Sequence, residues 1–131
     1  MRAPGVLRLL LRLGGAVMLL AFVAAVEPWS LMEATHGRLG LGTLPATPIV
    51  EYLARSISLL YGFHGVILLV LASDLERFRP LVRVVGWMNM VLGAGLFAID
   101  LDAGLPAWWT WSEGPSVLAL GVVILVLSGE R

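Results

Sequence analysis

Cysteine and lysine are both absent from this chain of 131 residues. Without cysteine there can be no disulfide framework, no thiolate nucleophile and no cysteine metal site. Histidine occurs only at His36 and His64, which argues against haem ligation by paired histidines. Charged residues are scarce, at 14%, and sum to a formal net charge of zero, so no nucleic acid partner is expected. Phosphate-cradling loops, nucleophile elbows and zinc-protease motifs are missing too. The sequence therefore assigns no reaction, catalytic residue or cofactor.

Apolar residues are what the chain has in excess. They make up 59% of it, and the mean hydropathy is +0.91. This is more apolar side chain than the core of a soluble protein of this size would bury. Four apolar stretches approach the length of about 20 residues that a helix needs to cross a bilayer. We predict an all-α membrane protein, a four-transmembrane-helix bundle in a single transmembrane domain over residues 1–131. The helices are expected at about 4–26, 49–72, 81–99 and 112–128.

The two terminal stretches leave alternatives open. Arg8 and Arg12 precede the first apolar run one helical turn apart, and their side chains can extend to the headgroups. A cleaved signal peptide is the rival interpretation of this run, but three further spans favour an uncleaved helix. The fourth stretch is short unless its helix extends back through Trp108, Trp109 and Trp111, which would form an interfacial aromatic belt.

The arginines predict the orientation, because cytoplasmic flanks collect positive charge. With the N-terminus inside, the cytoplasmic flanks contain Arg2, Arg8, Arg12, Arg77, Arg79, Arg83 and Arg131. The outer connections contain only Arg38. Both termini are therefore expected in the cytoplasm.

The first outer connection is long. Residues 27–48 begin with Glu27-Pro28-Trp29-Ser30-Leu31-Met32 and continue with several glycines. This pattern predicts a short interfacial helix followed by a flexible return.

Polar residues at membrane depth are the main functional candidates, because a charge near the helix centre costs about 2.5 kcal/mol or more. Glu51, Arg55 and Ser58 fall on one face of the second helix at i, i+4 and i+7. The short connection between residues 73 and 80 predicts an antiparallel hairpin, which would set Arg55 near the depth of Asp100. We predict a ligand site of Glu51, Arg55, Ser58 and Asp100 on the outer side. A structural ion pair is the alternative.

Secondary candidates are weaker. His64 and Asn89 would lie at one level and form a possible polar contact, although a histidine that is only hydrogen-bonded is the simpler interpretation. Close helix packing is expected at Gly62, Gly65, Gly86, Gly93 and Gly95. Solvated loop acids are a better interpretation than a metal site for Asp100, Asp102, Glu113 and His36. No metal is predicted.

Glu51 to Arg55 and Tyr61 to Gly65, followed by a charged turn and a helix ending in Asp100, resemble small four-helix membrane proteins of bacteria. The layout over residues 49–128 is similar to the DoxX-like group. The resemblance implies a four-helix bundle in the cell inner membrane and transfers no activity, substrate or site residue.

These observations favour an accessory or interaction subunit, or a binder of a lipid-like small molecule through the outer polar cluster. The alternatives are a membrane enzyme that acts on lipid or quinone, and a proton-linked transporter. The expected partners are the lipid bilayer and either another membrane protein or further copies of this chain.

Overall fold

The computed structural model describes residues 3–129, and none of these residues forms a β-strand. Its helices are α1 (Ala3–Leu19), α2 (Ala21–Val26), α3 (Trp29–Arg38), α4 (Pro48–Ser73), α5 (Arg79–Asp102) and α6 (Ala107–Gly129). Arg2 and Arg131, which contribute to the charge asymmetry, lie outside the described residues.

Four segments are long and apolar enough to cross a membrane, namely Pro4–Val26, Pro48–Ser73, Arg79–Asp102 and Ala107–Gly129. Less than a third of the most apolar window of each segment is buried within the protein, so each segment also has exposed apolar side chains. Exposed apolar helix faces of this extent suit a lipid environment. The predicted all-α class, with four helical segments long and apolar enough to cross a membrane, is confirmed.

The chain divides into two compact units. The first, here called the Leu11–Val70 unit, contains the end of α1, then α2, α3 and most of α4. The second, here called the hairpin unit, contains the described residues before Leu11 and those from Leu71 onward, including α5 and α6.

The first span is not one uninterrupted helix. Leu20 separates α1 from α2, yet its backbone keeps right-handed helical angles (φ −61°, ψ −23°). The Leu20 N–H donates to the Val17 carbonyl, and the Val23 N–H donates to the Leu20 carbonyl. These bonds connect residues three apart, so the helix tightens locally at Leu20 instead of ending.

Close packing in the Leu11–Val70 unit depends on glycines. A Cβ atom at Gly65 would lie 2.8 Å from the Gly15 carbonyl oxygen, and a Cβ atom at Gly15 would lie 2.9 Å from that of Gly65. One turn before Gly65, Gly62 leaves space for the Phe22 ring, which packs edge to face on Phe63 with centroids 5.3 Å apart. The prediction of close helix approach at Gly62 and Gly65 is confirmed.

The helix predicted within residues 27–48 is present as α3. Residues 39–47, which follow it, contain no helix, and Gly40 and Gly42 adopt positive φ angles of 71° and 89° there. Such angles favour glycine, because other residues would meet a steric penalty. The helix was thus predictable, whereas the flexibility of the segment after it and its place at a membrane surface stay predictions.

The hairpin unit begins with a tight turn between α4 and α5. Asp74 Oδ1 accepts the Arg77 N–H at 3.1 Å, and the Asp74 carbonyl accepts the Phe78 N–H at 3.1 Å. Helix α5 then begins at Arg79, with Pro80 in its first turn, where a missing N–H costs little.

Helices α5 and α6 form an antiparallel hairpin around Gly104, which has a φ of +66°. A Cβ atom at Gly93 would lie 2.6 Å from the Gly114 carbonyl oxygen, and one at Gly121 would lie 2.7 Å from that of Gly86. Close approach at Gly86 and Gly93 is therefore confirmed. The same prediction was wrong for Gly95, where a Cβ atom would meet open space.

Helix α6 starts at Ala107, five residues before the predicted boundary at 112. The Pro106 carbonyl accepts the N–H groups of Trp109 and Thr110, so the first turn forms before the tryptophan-rich segment. Pro115 consequently lies inside the helix. Trp108 and Trp111 are exposed, as an aromatic belt would require.

Candidate functional site

Arg55 is the centre of a hydrogen-bond network in the Leu11–Val70 unit. Its Nε atom donates to Glu51 Oε1 at 3.0 Å, and its Nη2 atom lies 2.9 Å from the same oxygen. Its Nη1 atom donates to the Ala25 carbonyl at 2.8 Å. The guanidinium thus has partners on both α4 and α2.

The Ala25 contact has a simple physical origin. Ala25 is next to the last residue of α2, and the final carbonyls of a helix have no donor within that helix. A cation at this helix end is also favourable for the helix dipole. Arg55 therefore satisfies an otherwise unpaired carbonyl and links the end of α2 to α4.

Glu51 completes the charge balance from one turn earlier on α4. Its side chain is 46% exposed and that of Arg55 is 29% exposed, so both groups retain contact with solvent. The i, i+4 pair was predicted from spacing. Two of the three guanidinium nitrogens of Arg55 contact Glu51, and the third donates to the Ala25 backbone carbonyl. This geometry favours a structural ion pair over a ligand site for Glu51 and Arg55.

The other predicted members are divided between the two units. Ser58 is half-buried on α4 and takes no part in the Arg55 network among the described residues. Its unit also contains His64, which is half-buried. Asn89 and Asp100 are buried on α5 in the hairpin unit.

Asp100 is the least expected feature of the hairpin unit. Only 3% of its surface is exposed, and its Oδ2 atom has no hydrogen-bond partner among residues 3–129. A buried carboxyl oxygen without a partner loses its hydration without compensation, which costs about 1–3 kcal/mol or more. Polar groups of this kind are uncommon and are often functional in membrane proteins.

Glu113 on α6 is within electrostatic range of Asp100 on α5. Its Oε2 atom accepts the Trp109 Nε1 hydrogen at 2.7 Å, and its carboxyl group interacts electrostatically with that of Asp100. The hairpin unit thus contains two carboxyl groups within electrostatic range of each other, one on α5 and one on α6. We refer to Asp100, Glu113 and Trp109 as the carboxyl cluster.

The prediction of solvated loop acids was wrong for Asp100, which is buried, and for Glu113. The structure places Glu113 in α6, half-buried, because that helix begins at Ala107. The four-residue spacing from Trp109 to Glu113 is the signal that would have identified the pair, but it has this meaning only within a helix. Among the described residues, no group of three or more histidine or acidic side chains is placed to hold a metal ion.

No family model, curated protein or solved structure matches the chain.

Proposed function

We propose that this integral membrane protein binds a lipid-like small molecule through the carboxyl cluster of α5 and α6. The observation that carries the proposal is the buried Oδ2 atom of Asp100, which has no hydrogen-bond partner within residues 3–129. A ligand that donates a hydrogen bond to this atom supplies the missing partner. The site keeps Asp100 from the predicted cluster and adds Glu113 and Trp109.

The chemistry of the cluster defines the ligand. Two neighbouring carboxyl groups repel each other when both are charged, and a low dielectric strengthens that repulsion. A hydroxyl group or a protonated amine relieves it by donating a hydrogen bond or adding positive charge. The rest of the ligand is apolar, because exposed Trp111 and half-buried Phe97, whose rings lie 5.1 Å apart, also belong to this end of the hairpin.

Native mass spectrometry of the protein, released gently from its own membrane, tests this proposal. We expect a bound small molecule of defined mass that is lost in Asp100→Asn. Asp102→Asn is the matched control, because Asp102 is an exposed acid two residues further along α5. Retention of the molecule by Asp100→Asn, or its equal loss from both variants, would contradict the proposal.

The same spectrum separates the alternative functions. A second protein of defined mass would favour an accessory subunit, and further copies of this chain would favour a homo-oligomer. A proton-linked transporter is the next alternative, because paired carboxyl groups at membrane depth suit proton exchange. A membrane enzyme lacks a comparable observation.

We also infer that the chain lies in the cell inner membrane with both termini in the cytoplasm, as the arginines indicate. On this topology the carboxyl cluster is on the outer side. Helix α3, with Trp29 and the exposed Leu31, would lie along the outer surface of the bilayer. We also propose that the chain is DoxX-like and that all four spans assemble into one bundle.

A further inference from the structure

A cavity of about 380 Å³ lies in the hairpin unit, at the opposite end of α5 from Asp100. Its walls come from the start of α1, the turn after α4, the start of α5 and the end of α6. A volume of this size falls within the range of small-molecule sites, about 300–1,000 Å³.

The polar part of the lining contains both signs of charge. Arg8 and Arg79 line the cavity from different helices, and Glu76 lines it from the turn. Arg8 and Glu76 form no ion pair with another residue in the range 3–129. Their charges therefore remain available to a ligand that itself carries both signs.

The apolar part of the lining includes Leu7 and Val82, which are buried, and Leu75 from the turn. The cavity thus combines a charged surface with an apolar one. It also lies at the ends of candidate membrane spans, two of which begin at Pro4 and Arg79. Headgroups meet acyl chains at that depth of a bilayer.

Each charged group selects one part of a headgroup. Arginine matches phosphate, because its planar fork can donate two parallel hydrogen bonds to phosphate oxygens. The start of α5 adds a favourable dipole for the same anion. Glu76 would repel an anion but accepts hydrogen bonds from a primary ammonium group.

We propose that this cavity binds a phosphate and primary ammonium pair, as found in the headgroup of phosphatidylethanolamine. Arg8 and Arg79 hold the phosphate, Glu76 accepts the ammonium, and the apolar lining contacts the start of the acyl chains. Phosphatidylglycerol lacks the ammonium group. Phosphatidylcholine has a quaternary ammonium group that cannot donate a hydrogen bond. The site is independent of the carboxyl cluster.

Lipid titration followed by native mass spectrometry tests the proposal on the full chain in detergent. We expect phosphatidylethanolamine to bind about tenfold more tightly than phosphatidylcholine, in line with a hydrogen bond to a charged group worth about 1.5 kcal/mol or more. Equal binding of the two lipids would overturn the proposal, and so would a preference for phosphatidylglycerol.

Substitutions locate the site. Arg8→Gln and Arg79→Gln should each weaken phosphatidylethanolamine binding about tenfold. Arg83→Gln is the control, because Arg83 is an exposed arginine one turn along α5 that does not line the cavity. An equal loss in Arg83→Gln would show a general effect of surface charge and overturn the assignment.

Glu76→Gln provides a second, independent test. Glu76 is exposed, so this substitution should not impair folding. It should weaken binding of phosphatidylethanolamine and leave that of phosphatidylglycerol unchanged, whereas a purely structural role would affect both lipids equally. Soluble phosphoethanolamine distinguishes the two sources of this chemistry. It should fail to displace the lipid at equal concentration, and displacement would contradict a bilayer source.

Discussion

At the scale of single residues, Arg55 contributes more than its ion pair with Glu51. Replacement by glutamine removes the Glu51 contact and leaves the Ala25 carbonyl without its donor. We expect Arg55→Gln to lower the free energy of unfolding by about 1.5–3 kcal/mol, the range for hydrogen bonds to charged groups. Glu51→Gln should cost less than about 1 kcal/mol, because exposed pairs contribute little. Unfolding in mixed detergent micelles measures both.

Exchanging the residues at positions 51 and 55 distinguishes the ion pair with Glu51 from the hydrogen bond to the Ala25 carbonyl. If only the ion pair mattered, Glu51→Arg combined with Arg55→Glu would restore stability. We expect the double variant to stay less stable than the parent chain, because the arginine at position 51 is one helical turn away from the Ala25 contact. Full recovery would show that the Ala25 hydrogen bond is energetically unimportant.

Trp109 has a comparable role in the hairpin unit. Trp109→Phe keeps an aromatic ring but removes the indole N–H that Glu113 accepts. We expect a loss of about 1–3 kcal/mol in the free energy of unfolding, since the half-buried carboxyl group loses its donor. A double-mutant cycle with Glu113→Gln measures this coupling. A coupling energy near zero would show that the bond does not contribute to stability.

These residues also show the limits of sequence reasoning. The pairing of Glu51 with Arg55 follows from spacing within a helix that the sequence predicts well. The Ala25 contact does not, because a backbone carbonyl thirty residues away becomes a partner only where α2 ends. The sequence identified Asp100 as a polar residue at membrane depth, but nothing in its pattern indicated that its Oδ2 atom would lack a partner among the described residues.

At the scale of helices, Gly93 and Gly95 on α5 allow a packed glycine to be compared with an exposed one. A Cβ atom at Gly93 would press against the backbone of α6, 2.6 Å from the Gly114 carbonyl oxygen and 2.8 Å from the Leu118 Cα atom. Backbone atoms cannot rotate away, so Gly93→Ala must separate the helices, which we expect to cost about 1–3 kcal/mol. Gly95→Ala should be neutral or stabilising by up to about 1 kcal/mol, because alanine favours helix.

Thermal unfolding of the two variants in the same detergent provides the comparison. A lower Tm for Gly95→Ala, or an unchanged Tm for Gly93→Ala, would contradict the packing of α5 on α6 described above. The sequence alone did not indicate which of these two glycines packs against α6. They differ by two positions, which is about 200° around a helix, so one faces α6 and the other faces away.

Helix ends were predicted less well than helix existence. The boundary at 112 was wrong, and the alternative of a helix that extends back through the tryptophan-rich segment is confirmed. Helix α6 begins at Ala107 and incorporates Pro115 in its interior. A membrane helix tolerates proline when neighbouring groups satisfy the freed carbonyl. The error had a functional consequence, since it placed Trp109 outside the helix that contains Glu113 and hid their contact.

At the scale of the whole molecule, hydropathy determines the number of spans, but their orientation rests on charge alone. The turn between α4 and α5 contains Arg77, and α5 begins with Arg79 and Arg83, whereas Arg38 is the only arginine of the outer connections. Positive residues resist translocation, so this turn is expected in the cytoplasm. Residues 27–48 and 103–106 should then face the outside.

The absence of cysteine makes this orientation directly measurable, because any thiol introduced by substitution is the only one in the chain. Thr43, Glu76 and Ala103 are exposed and lie in three different connections. A membrane-impermeant maleimide added to intact cells should label Thr43→Cys and Ala103→Cys, but should label Glu76→Cys only after permeabilisation. The opposite pattern would reverse the topology and move the carboxyl cluster to the cytoplasmic side. Labelling of all three variants in intact cells would indicate two populations of opposite orientation, which the strong arginine asymmetry argues against.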